Sequence, residues 1–186
     1  MKVFTIFKSF LNYIDEGKFF QNPVKWLYMI LAAANILLPL YMLYEMIDGG
    51  AFSAPAKYVI LMLLGWLVML VGFFFLGLLW WNRKDQLSTI EKNADFPVTP
   101  VFAHIIRTFG EWAGLLVGGV FFVVALLALI FVGDEAAYAF RDVPFLEDGW
   151  LALLKLPIAG FLTILVTRFV SEQVKVFVTI AKNTKK

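Results

Sequence analysis

Long uncharged apolar runs constrain the fold of this chain more than any other feature. Two of them, Trp26–Tyr44 and Tyr58–Trp81, contain no charged residue, and a third, Trp112–Val132, begins directly after Glu111. A helix needs roughly 20 apolar residues to cross the hydrocarbon core, because each residue rises about 1.5 Å and the core is about 30 Å thick. Each run therefore predicts a transmembrane helix.

A fourth segment, Leu151–Val170, carries Lys155 and Arg168 close to its ends, where long basic side chains reach the headgroups. The composition agrees, since 61% of the 186 residues are hydrophobic and 16% are charged, against about half and a quarter in soluble domains. The sequence predicts an all-α integral membrane protein with one membrane domain over residues 1–186. Its four transmembrane helices are expected at about residues 26–44, 58–81, 112–132 and 151–170.

The distribution of basic residues predicts the orientation. All but three of the 16 Lys and Arg residues lie before the first span, between the second and third spans, or from Arg168 onward. The exceptions are Lys57, Arg141 and Lys155, and the loops around them are rich in Asp and Glu. Because Lys and Arg are retained on the cytoplasmic side during insertion, we expect both termini, including the tail of residues 171–186, in the cytoplasm.

The segment ahead of the first span, residues 1–25, predicts an N-terminal amphipathic helix. Phe4, Phe7, Leu11 and Ile14 recur there at helical spacing, with polar residues off that stripe. The favoured interpretation is a helix lying in the plane of the inner leaflet. The alternative is a cytoplasmic helix packed against the bundle or against another copy.

Two further features mark the expected span boundaries. Proline suits the first turn of a helix, so Pro23 is expected to open the first span. Aromatic side chains prefer the headgroup layer, and these fall at predicted boundaries: Trp26, Tyr44, Tyr58, Trp80, Trp81, Trp112 and Trp150. The middle loop, residues 82–110, shows little hydrophobic periodicity and is too short for an independent catalytic domain.

Gly110, Gly114 and Gly118 form a GxxxGxxxG pattern along one face of the third helix. Without side chains there, another helix approaches closely and gains dispersion contacts. One interpretation is oligomerisation through this face. The favoured one is internal packing against the second helix, which carries its own glycines at positions 65, 72 and 77.

Charged residues near the cytoplasmic ends of the spans suggest ion pairs. Glu111 enters the third helix and Arg168 leaves the fourth at a similar depth, so a pair between them would lower the cost of holding either charge near hydrocarbon. Glu172 lies one turn beyond Arg168 and competes as its partner. Alternatively, all three are solvated interface charges. We expect Arg168 to be an exposed structural anchor.

Asn35 and Pro39 are polar or helix-breaking features inside the first span. Proline frees the carbonyl of Asn35, and the Asn35 amide can hydrogen-bond to a neighbouring helix. This favours a structural kink, although such a feature also marks substrate paths. His104 is the only histidine, and it is expected to be an interface residue without a metal.

The sequence offers little support for catalysis. It contains no cysteine, no HExxH, GxSxG or Walker-type motif, and no pair of carboxylates inside a span. No cofactor is expected, and a net charge of +2 does not suggest nucleic acid. The leading hypothesis is a non-enzymatic membrane component that contacts lipid and assembles with itself or with a membrane protein partner. It predicts a filled core and an exposed glycine face.

A channel or transporter subunit is the alternative, and it predicts a hydrated cavity that reaches Asn35. An enzyme ranks third.

Both ends of the chain resemble an uncharacterised family of small bacterial membrane proteins, defined only as a domain of unknown function. The tail RFVSEQVKVFVTIAKNT carries the resemblance through Arg168, Glu172, Ile180, Ala181, Asn183 and Thr184, together with the opening FKSFLNYIDEGKFFQNPVKWLY. Members of that family are typically shorter, with fewer spans, so the second and third helices depart from its pattern. The resemblance implies a bacterial membrane location, which we expect to be the cytoplasmic (inner) membrane, and it brings no activity with it.

Overall fold

Four long helices make up most of the part of the chain that the computed structural model describes, which is residues 8, 11–14, 18–89, 98–133, 135 and 149–184. The helices are α1 (Lys18–Asp48), α2 (Ala56–Gln86), α3 and α4 (Ala152–Thr184). Helix α3 begins as Val98–Leu115, passes through a π-helical segment, Leu116–Phe121, and ends as Phe122–Val132. Short 3₁₀ turns adjoin the helices at Ala51–Ser53, Leu87–Thr89 and Gly149–Leu151.

All four helices are long and apolar enough to cross a membrane, which confirms the predicted all-α fold with four spans. Many large apolar side chains face outward; Phe161 on α4, for example, is 65% exposed. In water such a surface would drive aggregation, whereas in a bilayer it meets lipid tails. The chain is a multi-pass membrane protein.

The helices extend beyond the predicted spans, and mainly at one end of the bundle. Helix α1 begins at Lys18, α3 at Val98, and α4 continues to Thr184. The 33 residues of α4 give a length of about 50 Å, against about 30 Å of hydrocarbon. Apolar run length marks only the part in hydrocarbon, because helices continue past the first charge. We call the end of the bundle at which these extensions lie the basic end, since Arg83, Arg107 and Arg168 lie there.

Two sequence predictions at the basic end are therefore wrong. Pro23 does not open a helix but lies inside α1. The predicted loop of residues 82–110 is helical up to Gln86 and again from Val98. Val101 and Ala103 are buried there, so the segment has an inward apolar face that sequence periodicity did not reveal.

The helices pack as two antiparallel hairpins, α1 with α2 and α3 with α4, and the hairpins join along α2 and α3. Leu61 of α2 packs with Ala128 and Leu129 of α3 at the far end of the bundle. Tyr28 of α1, Trp80 of α2 and Val101 of α3 form a core cluster at the basic end. The basic end is thus where α1 reaches across to α3.

A small polar contact at the opposite end joins the start of α2 to Glu135, which follows the end of α3. Glu135 accepts hydrogen bonds from Lys57 Nζ at 3.2 Å and Tyr58 Oη at 3.0 Å. These two donors lower the pKa of the Glu135 carboxyl below its ordinary value. Gly133 follows the end of α3 with a positive φ of 64°, a conformation that a residue without Cβ adopts easily.

About half of the predicted N-terminal segment, including Phe4 and Phe7, lies outside the described residues, and residues 18–25 form the start of α1. Within it, Lys8 and residues 11–14 are helical, and Leu11 is exposed. Asn22 Nδ2 of α1 donates to the Tyr13 hydroxyl at 2.7 Å. An orientation in the membrane plane stays a prediction.

Candidate functional site

Glu111 lies at the centre of a charged cluster at the basic end. Its Oε1 accepts from Arg168 Nη2 at 2.8 Å and Nε at 3.2 Å, and from Arg107 Nε at 3.1 Å. Its Oε2 accepts from Arg83 Nη2 at 2.5 Å. We call Arg83, Arg107, Glu111 and Arg168 the arginine cluster. It joins α2, α3 and α4 through one carboxylate.

The members of the arginine cluster differ in exposure. The Glu111 side chain is 5% exposed, and that of Arg83 is 16% exposed. Arg107 and Arg168 are more open, with 36% and 49% of their side chains exposed. A buried carboxylate requires hydrogen-bonded counter-charges, and breaking such a pair from one side strands the other charge. The cluster therefore has a buried centre at Glu111 and an exposed rim formed by Arg107 and Arg168.

The predicted partnership of Glu111 and Arg168 is present, but the setting differs from the one expected. Glu111 is buried, so the interpretation of an exposed anchor applies only to Arg168. Glu172 is exposed and makes no ion pair with Arg168 within the described residues. Sequence reasoning also missed Arg83 and Arg107. The four-residue spacing of Arg107 and Glu111 was the available signal, whereas Arg83 comes from another helix.

The glycine pattern explains how Arg168 reaches Glu111. A Cβ atom added to Gly110 would overlap the side chain of Thr167, and one added to Gly114 would lie 2.6 Å from the Gly160 carbonyl oxygen. Helix α4 thus lies directly on the glycine face of α3. Since Glu111 follows Gly110 and Arg168 follows Thr167, this close approach brings the charged pair together.

The glycine face is therefore internal, but its partner is not the predicted one. Gly110, Gly114 and Gly118 pack against α4, where Gly160 supplies the matching small residue. The expectation of α2 was wrong because the second helix meets α3 elsewhere, through Gly72 and Val120. The exposed glycine face predicted for a scaffold is likewise absent from these three residues.

An aromatic and histidine group lies beside the arginine cluster. Tyr28 Oη is 3.0 Å from His104 Nδ1, and its ring packs edge to face on Trp80, with centroids 4.9 Å apart. Thr108 Oγ1 donates to the His104 carbonyl at 2.9 Å. Buried Trp80 and half-buried Trp112 thus belong to the interior, not to the headgroup belt predicted for them. His104 thus contacts α1 through the Tyr28 hydroxyl.

Asn35 and Pro39 contribute to helix packing. Asn35 Nδ2 donates to the Leu31 carbonyl at 2.7 Å, and its Oδ1 accepts from Trp112 Nε1 of α3 at 3.0 Å. The Pro39 carbonyl accepts from Trp66 Nε1 of α2 at 2.8 Å. Both residues are buried. The expected hydrogen bond from Asn35 to a neighbouring helix is present, with tryptophan as donor.

An open groove runs between α2 and α3 in the membrane-spanning part. It has a volume of about 560 Å³ and ten apolar lining residues, among them Leu67, Phe75, Leu115 and Val123. The π-helical segment forms part of its wall through Gly119, where an added Cβ would meet no atom within 4 Å. Single π-helical turns are often found at functional positions.

The described residues contain no group of three His, Cys, Asp or Glu side chains that would suit a metal ion. Comparison with known proteins adds no assignment: no protein-family model, curated protein or solved structure matches the chain.

Proposed function

We propose that this chain is a non-enzymatic component of the bacterial cytoplasmic membrane, with both termini inside, which assembles with a second copy of itself through the α2–α3 groove. The orientation rests on the one-sided distribution of Lys and Arg. The bacterial location rests on the resemblance of the two chain ends to small bacterial membrane proteins.

The open groove is the observation that carries the proposal. Helices associate in membranes through close van der Waals packing at small residues. Gly110, Gly114 and Gly118 are already covered by α4, whereas Gly119 borders the groove with free space above it. The lining is apolar throughout, so the fitting occupant is an apolar helix. Closed homo-oligomers are the commonest assemblies, which makes a second copy the first choice.

A transport path receives less support. Both polar ends of the Asn35 side chain are hydrogen-bonded within the protein, and the Pro39 carbonyl is paired with Trp66. Neither residue lines the groove. Their arrangement favours the structural role in which a polar side chain holds helices together.

The absence of cysteine makes a direct test possible. Val123→Cys places a single thiol at the groove, and Phe161→Cys places one on the lipid-facing surface of α4 as the matched control. In native membranes, a short bifunctional thiol reagent should cross-link two Val123→Cys chains into a dimer and leave Phe161→Cys monomeric. Equal cross-linking of both variants, or none with Val123→Cys, would contradict assembly through the groove.

A further inference from the structure

The arginine cluster carries more positive charge than its carboxylate compensates. Three guanidinium groups surround Glu111 alone. The remaining contact of Arg83 is to neutral Gln86, through Oε1 at 2.6 Å. Among the described residues no second carboxylate joins these arginines, so the cluster keeps two uncompensated positive charges.

The uncompensated charge faces outward at the two exposed arginines. A guanidinium offers five N–H donors in a fixed plane. Arg107 uses only Nε on Glu111, and Arg168 uses Nε and Nη2, which leaves terminal nitrogens of both available. Because both contact the same Glu111 oxygen, their contacting nitrogens lie within about 6 Å of each other. Two guanidinium groups at this separation can share one multi-oxygen anion.

The depth of the cluster indicates which anion it meets. Arg83 follows the uncharged run ending at Trp81, and Glu111 precedes the run beginning at Trp112. Since each run is long enough to cross the hydrocarbon core, the cluster lies at the boundary with the headgroups. Phosphate is the anionic group at that depth, and arginine binds it bidentately.

We propose that Arg107 and Arg168, held in place by Glu111, form a binding site for a phosphoryl anion, supplied at this depth by the headgroup of an anionic phospholipid. Glu111 acts as a positioning residue, because it fixes both guanidinium groups while lying beneath them. The site is on the α3–α4 side of the basic end and is independent of assembly through the α2–α3 groove.

Lipid retention tests the site on the full chain. The protein is purified from membranes that contain phosphatidylglycerol and phosphatidylcholine, and bound lipid is identified from its intact mass. We expect it to retain phosphatidylglycerol preferentially. Arg107→Gln or Arg168→Gln should weaken this binding by about tenfold, the change expected for one charge-assisted hydrogen bond. Arg107→Lys keeps the charge but loses the planar fork, so an intermediate loss is expected.

Lys182→Gln is the matched control, since it removes one positive charge further along α4, and it should retain lipid like the unaltered protein. A second arm adds inorganic phosphate to lipid-free protein in a maltoside detergent. Thermal stabilisation there that Arg107→Gln abolishes would support the phosphoryl site and assign it to a free anion. Equal lipid retention by Lys182→Gln and both Gln variants, without a phosphate effect, would overturn the proposal.

Discussion

A carboxylate at the edge of the hydrocarbon core is stable only when opposite charges and hydrogen bonds compensate its lost hydration. Glu111 meets this condition with donors from three arginines. Arg168 was foreseeable because it lies near the end of the fourth predicted span, at the depth where Glu111 directly precedes the third. Arg83 and the pairing of Tyr28 with His104 were not, because these contacts depend on which faces of separate helices meet. The sequence indicates how deep a residue lies along its own helix, whereas the packing of the helices decides which residue of another helix it contacts.

Replacing Glu111 tests the arginine cluster at the level of one residue. Glu111→Gln keeps the volume but removes the carboxylate that compensates Arg83, whose side chain is mostly buried, so the free energy of unfolding should fall by about 3 to 5 kcal/mol. Glu172→Gln removes a carboxylate from an exposed position and should change it by no more than about 0.5 kcal/mol. Thermal or denaturant unfolding in the same detergent compares the two variants. Equal effects would show that Glu111 is solvated like Glu172.

At the scale of elements, the α3–α4 pair depends on backbone approach. Gly160 of α4 faces Gly118 of α3, and a Cβ atom added to Gly160 would lie 2.6 Å from the Gly118 Cα atom. The GxxxGxxxG pattern correctly indicated a tightly packed face. It did not indicate which helix covers the face, because small residues occur on several helices and Gly160 has no glycine at four-residue spacing.

Alanine substitutions separate a packed glycine from an open one. Gly114→Ala would press its methyl group against Ile164 and the Gly160 carbonyl, and should destabilise the protein by about 1 to 3 kcal/mol through overpacking. Gly65 has no atom within 4 Å of an added Cβ, so Gly65→Ala should be neutral or stabilise α2 by up to about 1 kcal/mol. Unfolding temperatures of the two variants give the comparison. A neutral Gly114→Ala would contradict the close contact of α3 with α4.

For the whole molecule, apolar run length was sufficient to predict four membrane helices. Apolar run length did not predict where the helices end at the basic end, because α1, α3 and α4 continue into residues of lower hydropathy. Those extensions matter most for the candidate site, since His104 and Arg107 both lie in the part of α3 that precedes the predicted span. Hydropathy therefore indicates the membrane-spanning part of each helix, whereas the residues of the site lie at or beyond the edge of that part.

Reporter fusions test the orientation of the whole molecule. A periplasm-active reporter should work near Asp48 and Asp142, and a cytoplasm-active one near Lys92 and Lys186, because the Lys and Arg excess is retained inside. In intact cells, the C-terminal tail should resist protease added outside. Cleavage of that tail would reverse the orientation and place the arginine cluster at the outer leaflet.

The mass of the intact protein in lipid nanodiscs distinguishes a dimer from a monomer. We expect a dimer for the unaltered chain and a monomer for Gly119→Leu, because the leucine side chain would project into the groove where the second copy packs. Ala34→Leu adds bulk at an exposed position of α1 and should remain dimeric. A monomeric mass for the unaltered chain, or a dimer that persists in Gly119→Leu, would contradict assembly through the α2–α3 groove.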